Sequence, residues 1–203
     1  TNVGLIFCTD SDTLINNESI MEMSKCFGNN IGAMVGDLGI HNKYDSLISF
    51  MSSVRYWYAF NLERAYQSFT GNVLCVSGPI GMYKMDYLEK IIDDWSNQSF
   101  LGNVCSYGDD RHLTNKILEL GKNVKYVSSA YAETETPSDW YRFFKQQSRW
   151  NKSAFREFFW TVKILNKHSL FMTVDLVYMM MYPYIVIGYL MYILWNKTIF
   201  EFS

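Results

Sequence analysis

Net charge is almost absent from this chain: 18 Lys and Arg stand against 20 Asp and Glu, leaving −2 over 203 residues. That balance excludes bulk electrostatic attraction to nucleic acid. Cysteine is sparse and its spacing is uninformative. Cys8, Cys26, Cys75 and Cys105 form no C-x-x-C pair, and with the three histidines they give no metal-ligand spacing. They read as reduced cytosolic thiols, not as a disulfide framework. No secretory leader is visible, and the first residue is not Met. A strand pattern begins almost at once, where a doubly wound domain would have several βα units before it. The chain therefore reads as a piece of a longer one that starts in mid-domain.

Aromatic side chains, by contrast, are abundant: 15 Tyr, 14 Phe and 6 Trp make 17% of the residues. That richness suits a protein with a membrane-facing part. Residues 1–135 alternate short apolar runs with helical patterns, which predicts an α/β domain. Val3 to Cys8 reads as a buried strand, and "NNIGAMVGDLGI" (29–40) as a second. Between 43 and 69, apolar residues at steps of mostly three and four predict one long amphipathic helix. "NVLCVSGPIGMY" (72–83) predicts a strand broken by a Gly-Pro turn. "GDDRHLTNKILELG" reads as a loop feeding a helix that ends at Gly121, and "NVKYVSSAYAET" as a last strand.

From 136 to 169 the texture changes. Thr136 is placed to cap a helix with Pro137 at its first position and Asp139 in its first turn. Basic residues at 142, 145, 149, 152, 156, 163 and 167 fall along one helical face amid many aromatics, the pattern of a membrane-interface helix. A solvated surface helix would carry a similar stripe. Leu176 to Trp195 is then 20 residues without a charge, long enough for a bilayer core of roughly 30 Å. Pro183 and Gly188 are tolerated in such a helix. Seven Lys or Arg precede the span and Lys197 follows it, so the positive-inside rule puts residues 1 to about 170 in the cytoplasm. The N-x-S/T sites at Asn17, Asn97 and Asn151 would then go unmodified. The expected division is 1–135 for a partial catalytic domain, 136–169 for interface helices, 170–195 for the membrane helix and 196–203 for the segment after it.

Three polar clusters carry candidate chemistry. Asp10 and Asp12 follow the first strand, and on extended chain residues i and i+2 point the same way. Two converging carboxylates suit Mg²⁺ or Mn²⁺; a solvated turn or a helix cap would also use them. Asp109 and Asp110 lie at a loop-to-helix junction, where one could act as a general base and either could cap the helix. His112, a turn further on, is given no role. Gln146, Arg149 and Trp150 form Q-x-x-R-W, with a planar fork suited to phosphate and a ring on which a sugar can stack. Metal-binding carboxylates, a base, a phosphate-reaching Arg and a sugar-stacking Trp together describe transfer from a nucleotide sugar.

D-S-D (10–12), "SGP" (77–79), "GDD" (108–110) and Q-x-x-R-W (146–150), in that order, resemble the motifs of processive family 2 inverting glycosyltransferases. That group includes the cellulose, chitin and hyaluronan synthases. "NKYDSLISFMSSVRYWYAFNLERAYQSF", "SGPIGMYK", "CSYGDDRHLTN" and "ETPSDWYRFFKQQSRWNKSAFRE" are most similar to the hyaluronan synthases. The resemblance implies the C-terminal part of a GT-A (Rossmann-like) domain, followed by interface helices and a transmembrane helix of a multi-pass plasma-membrane enzyme with a cytoplasmic catalytic domain.

By the same resemblance, Asp10 and Asp12 would hold Mg²⁺ or Mn²⁺ on the UDP diphosphate, with Asp12 the more direct ligand. Asp110 would be the general base. Gln146, Arg149 and Trp150 would bind the diphosphate and the terminal sugar. Ser77, Gly78, Pro79, Cys105 and Asp109 would line the donor and acceptor pocket. The implied partners are UDP-GlcA, UDP-GlcNAc, the growing hyaluronan chain and the lipid bilayer. The parts of such enzymes that hold uracil and ribose, their other membrane helices and their gating loop have no counterpart in the sequence. The 203 residues alone are therefore expected to be inactive. The alternatives are a chitin or chito-oligosaccharide synthase using UDP-GlcNAc only, and a non-catalytic membrane scaffold. The scaffold's mark would be a lost Asp12, Asp110 or Arg149, and all three are present.

Overall fold

The computed structural model describes residues 4–105 and 107–201. The elements run β1 (Leu5–Cys8), β2 (Leu14–Ile15), α1 (Ser19–Lys25), β3 (Ile31–Ile40), α2 (Leu47–Tyr58), a π-helical turn (Ala59–Arg64) and α3 (Ala65–Thr70). They continue with β4 (Gly81–Lys84), α4 (Met85–Ser96), β5 (Ser99–Phe100), β6 (Asn103–Val104), α5 (Asp109–Glu119), β7 (Asn123–Thr134), α6 (Trp140–Ile164) and α7 (Leu170–Glu201). The strand expected at 3–8 forms from Leu5; Val3 lies outside the described residues.

Five strands make one mixed sheet in the order β1-β4-β3-β7-β2. β4 runs antiparallel to both β1 and β3, while β3 and β7 are parallel, a pairing that needs the long crossover that α2 to α5 supply. β3 is buried on both faces, so its sequence "IGAMVGDLGI" is nearly continuous in apolar and small residues instead of alternating. Ala33, Met34, Val35, Met82 and Val124 of the sheet pack with Ile117 and Leu118 of α5. Gly32 permits that contact: a Cβ there would lie 2.5 Å from the Ile117 side chain and 2.9 Å from that of Lys122.

Three expectations from the sequence are corrected. The helix expected over 43–69 starts at Leu47, because Ser46 and Ser49 form a reciprocal capping box, and it changes pitch at Ala59–Arg64. That π turn carries Phe60 into the core and aims Arg64 Nε at the Cys75 carbonyl (3.3 Å). In the 72–83 segment only Gly81–Lys84 is strand; Asn72 makes one isolated bridge to Val124, and the stretch between is loop. Nor does Thr136 cap α6. Its backbone exchanges hydrogen bonds with Asn42, and the cap is Asp139, whose carboxylate accepts from the Arg142 amide at 2.9 Å.

α6 is a single helix of 25 residues. Its basic stripe is mostly exposed, but Arg156, placed on that stripe by the sequence, is buried at 6% exposure where α6 lies on α5. Leu170–Asn196 of α7 is long and apolar enough to cross a membrane, and most of it is exposed. Its beginning is tied down: Met172 and Leu176 are buried, Asn72 Nδ2 donates to Ser169 Oγ (2.9 Å), and Gln67 Nε2 donates to Asp175 Oδ2 (2.6 Å).

Candidate active site

β1 ends at Cys8, and the chain turns at once, with the Thr13 amide donating to the Asp10 carbonyl. Thr9 Oγ1 donates to the Pro79 carbonyl at 2.9 Å, which binds this turn to the loop before β4. Gly78 lies against Asp10 so closely that a Cβ there would be 2.8 Å from Asp10 Oδ1. Ser77, Gly78, Pro79 and Asp10 thus form one wall. The Ser77 hydroxyl in it is buried and makes no hydrogen bond among the described residues.

Burial raises the Asp10 carboxyl above its ordinary value, and Asp12 and Asp110 add to the rise, while Arg149 opposes it. Residues from three distant stretches of sequence, at 10–12, 110 and 149, therefore share one electrostatic field. The carboxylates of Asp10, Asp12 and Asp110 share this field with the guanidinium groups of Arg149 and Arg64, and the hard oxygens of Asp10 and Asp12 suit a divalent cation.

The two acids of the GDD motif part company. Asp109 faces outward to the α4–β5 side, where its carboxylate accepts from Gln98 Nε2 (2.9 Å) and its carbonyl from Trp95 Nε1 (2.9 Å). Asp110 turns into the site. Its Oδ1 accepts from the Arg111 amide (2.7 Å), and the Cys75 thiol lies 3.6 Å from its Oδ2. Thr114 Oγ1 donates to the Asp110 carbonyl (2.8 Å) and accepts from the Val76 amide (2.9 Å), so α5 fixes the loop that carries Cys75. Gly108, which precedes the pair, has φ of +82°, a left-handed conformation that favours glycine. Ser153 of α6 packs directly on its Cα, in the space a side chain would need.

On α6, Gln146 is half-buried, Arg149 and Trp150 are exposed, and the Trp150 ring meets Tyr56 of α2 at 6.2 Å between centroids. Tyr56 in turn stacks on Phe60. Burial pushes the Tyr56 hydroxyl up to about 12; Asp10, Asp12 and Asp110 reinforce this and Arg64 opposes it. Cys105 belongs to the β5–β6 region, where its amide donates to the Gln98 carbonyl (3.2 Å) and its thiol faces the Asn103 carbonyl.

The structure thus brings Asp10, Asp12, Asp110 and Arg149 into one electrostatic field, sets the Ser77–Pro79 loop against Asp10, and joins Trp150 to them through Tyr56. It directs the Asp109 side chain elsewhere. Tyr56 and Cys75 were not among the residues picked from sequence. Tyr56 lies in a stretch whose periodicity reads only as amphipathic helix, and a lone Cys beside "SGP" gives no spacing signal.

A family model described as chitin synthase matches residues 1–201. Hyaluronan synthase 2 of Rattus norvegicus is 45% identical over 98% of the chain, and that of Homo sapiens 44% identical over the same share. Hyaluronan synthase 3 of Homo sapiens is 44% identical, also over 98%. The chain spans 37% of the length of each of these relatives. Among solved structures, a mannosyltransferase from Pyrobaculum calidifontis in complex with GDP-Man and Mn²⁺ superposes with a TM-score of 0.55 at 15% identity. It covers 79% of this chain, which in turn covers 39% of it, a likeness in GT-A fold alone. The chain belongs to the chitin synthase family of glycosyltransferases, and within that family it is similar to the hyaluronan synthases.

Proposed function

We propose that this chain is the acceptor-side part of a processive inverting glycosyltransferase that makes hyaluronan from UDP-GlcA and UDP-GlcNAc. The observation that carries this reading is the shared field of Asp10, Asp12, Asp110 and Arg149 beside the Tyr56–Trp150 rings, in a chain about 45% identical to hyaluronan synthase 2. Asp110 takes the proton from the acceptor hydroxyl. The freed oxygen attacks the anomeric carbon of the donor from the face opposite the phosphate, and the bond to the phosphate oxygen breaks. UDP leaves with the electron pair and the anomeric centre is inverted. Arg149 offsets charge that builds on the diphosphate, and Trp150 supports the terminal sugar so that its hydroxyl points at Asp110.

Asp10 and Asp12 fit a divalent cation in the chemistry of their oxygens, and among the described residues no group of three His, Cys, Asp or Glu would hold a metal unaided. The diphosphate would complete the ligand set. Bound there, Mg²⁺ or Mn²⁺ would supply Lewis-acid stabilisation of the departing UDP. Residues 1–135 act as catalytic domain, 136–169 as the interface segment and 170–195 as one span of a multi-pass plasma-membrane protein with its catalytic side in the cytoplasm, through which the polymer leaves.

The matching family model favours one other reading, a chitin synthase that uses UDP-GlcNAc alone. The full-length protein that contains this chain, in membranes with Mg²⁺ or Mn²⁺, should be given each donor separately and both together. Polymer that requires both donors is the expected result. Polymer from UDP-GlcNAc alone would establish the chitin reading instead.

A further inference from the structure

Behind the cleft, α5 and α6 are joined by a buried polar cluster that the reaction does not use. Glu157 is 1% exposed, and its carboxylate is surrounded by donors. Oε2 accepts from Asn115 Nδ2 (2.8 Å) and lies 3.2 Å from His112 Nδ1; Oε1 takes Arg156 Nε and Nη2, each at 3.3 Å. Arg156 Nη2 also donates to the Tyr107 carbonyl (2.7 Å), the residue before Gly108. The Thr161 hydroxyl lies 3.1 Å from Asn115 Oδ1 and 2.8 Å from the Glu157 carbonyl. The imidazole of His112 packs on the Trp160 ring with centroids 4.3 Å apart.

The bonds from Asn115, His112, Tyr107 and Thr161 across this cluster connect the segment around the base to the helix that carries Arg149 and Trp150, and the Arg156–Glu157 bonds brace them within α6. Tyr107, His112 and Asn115 flank Asp110; Arg156, Glu157 and Thr161 follow Trp150 by two to three turns. A fully satisfied buried network is rigid, and an incompletely satisfied one is costly, so the two helices have one mutual register. Glutamine cannot replace Glu157 without loss. It offers one acceptor oxygen where the carboxylate offers two, and its amide N–H groups would face the N–H groups of Asn115 or Arg156.

We infer that Glu157, with Asn115, His112 and Arg156 bonded to it, is a positioning residue that sets the reach from the Asp110 carboxylate to the sugar held by Trp150. This rests on the transferase reading above. Most of the donor-binding groups, Asp10 to Asp12 and Ser77 to Pro79, lie on the opposite wall, which the cluster does not touch; Arg149 of α6 is the exception. Loss of the register therefore slows transfer to the acceptor sugar, which needs Asp110, Arg149 and Trp150 together, more than it slows attack by water on a bound donor, since water needs no Trp150.

The test uses the full-length enzyme in membranes, wild type beside Glu157→Gln and the milder Thr161→Val, each normalised to folded protein by size exclusion in detergent. Polymer synthesis from both donors and UDP release from UDP-GlcNAc alone are measured, with amide exchange across 107–115 and 146–150. The expected result is a polymer rate at least tenfold lower for Glu157→Gln and about threefold lower for Thr161→Val. Single-donor UDP release should fall less than threefold in Glu157→Gln, and exchange should quicken in those two segments and not in β3 and β7. Equal falls in both rates, or unchanged polymer synthesis with unchanged exchange, would overturn the inference. Should wild type form no polymer and release no UDP with both donors together, the transferase reading fails, and the exchange rates alone decide whether Glu157 holds the two helices together.

Discussion

The rings of Tyr56 and Trp150 lie 6.2 Å apart at an angle of 51°, joining α2 to α6 across 94 residues of sequence. Tyr56 also faces the field of Asp10, Asp12 and Asp110, and with its hydroxyl pushed up to about 12 by burial it stays a neutral phenol at physiological pH. It is therefore placed as an aromatic support for Trp150 and not as a phenolate base.

Tyr56→Phe keeps the ring pair and should leave the rate of UDP release with both donors within about twofold. Tyr56→Ala removes a pair of the kind worth ~1 kcal/mol, so the rate should fall about fivefold. Steady-state kinetics of the full-length enzyme decide it; a larger loss in Tyr56→Phe than in Tyr56→Ala would show that the hydroxyl, not the ring, matters.

Asp12→Ala takes away one of the two carboxylates assigned to the cation. Half-saturation by Mn²⁺ should move at least about tenfold upward, because hard divalent ions gain most of their affinity from charged oxygens. A Mn²⁺ titration of UDP release measures this. An unchanged titration would remove Asp12 from the metal site.

Gly108→Ala forces a side chain into a left-handed position that costs about 1–2 kcal/mol, and in this case the new methyl also meets Ser153. The detergent-solubilised protein should melt several degrees lower, and Ser153→Gly added to it should recover part of the loss. Full recovery would mean that the clash alone, and not the backbone, carries the effect.

Cys75 is screened in two ways. Burial first, and the Asp110 carboxylate second, push its thiol up to about 12, so at pH 8 the thiolate is on the order of one part in ten thousand. Iodoacetamide at pH 8 should label the exposed Cys26 well before Cys75, as peptide mass spectrometry would show. Rapid labelling of Cys75 would contradict the packing of the 72–79 loop on α5.

Much of this was readable in advance, for reasons the residues make plain. An apolar run followed by D-S-D gives a strand and the turn after it, and "GDDRHLTNKILEL" gives α5, because local periodicity fixes both; the cap expected from Asp109 or Asp110 does not form, since Gly108 stands at the N-cap. Which acid of GDD enters the cleft was not local information in the same sense: Gln98 and Trp95 draw Asp109 away, and both come from the preceding α4–β5 segment. Arg156 matched the basic stripe in sequence, yet its neighbours Glu157 and Tyr107 bury it, a tertiary contact that helical spacing cannot express. The pitch change at Ala59–Arg64 leaves the three-and-four pattern almost intact, so periodicity passes over it.

In the function proposed above, Asp110 takes the acceptor proton while donor binding belongs to other residues. The most direct measurement compares wild-type and Asp110→Asn full-length enzyme for UDP-sugar affinity in Mn²⁺ and for polymer formed from both donors. Donor affinity should stay within about twofold and the polymer rate should fall by a factor of roughly 10²–10⁴, the usual worth of a general base. Polymer synthesis at near wild-type rate in Asp110→Asn would contradict it.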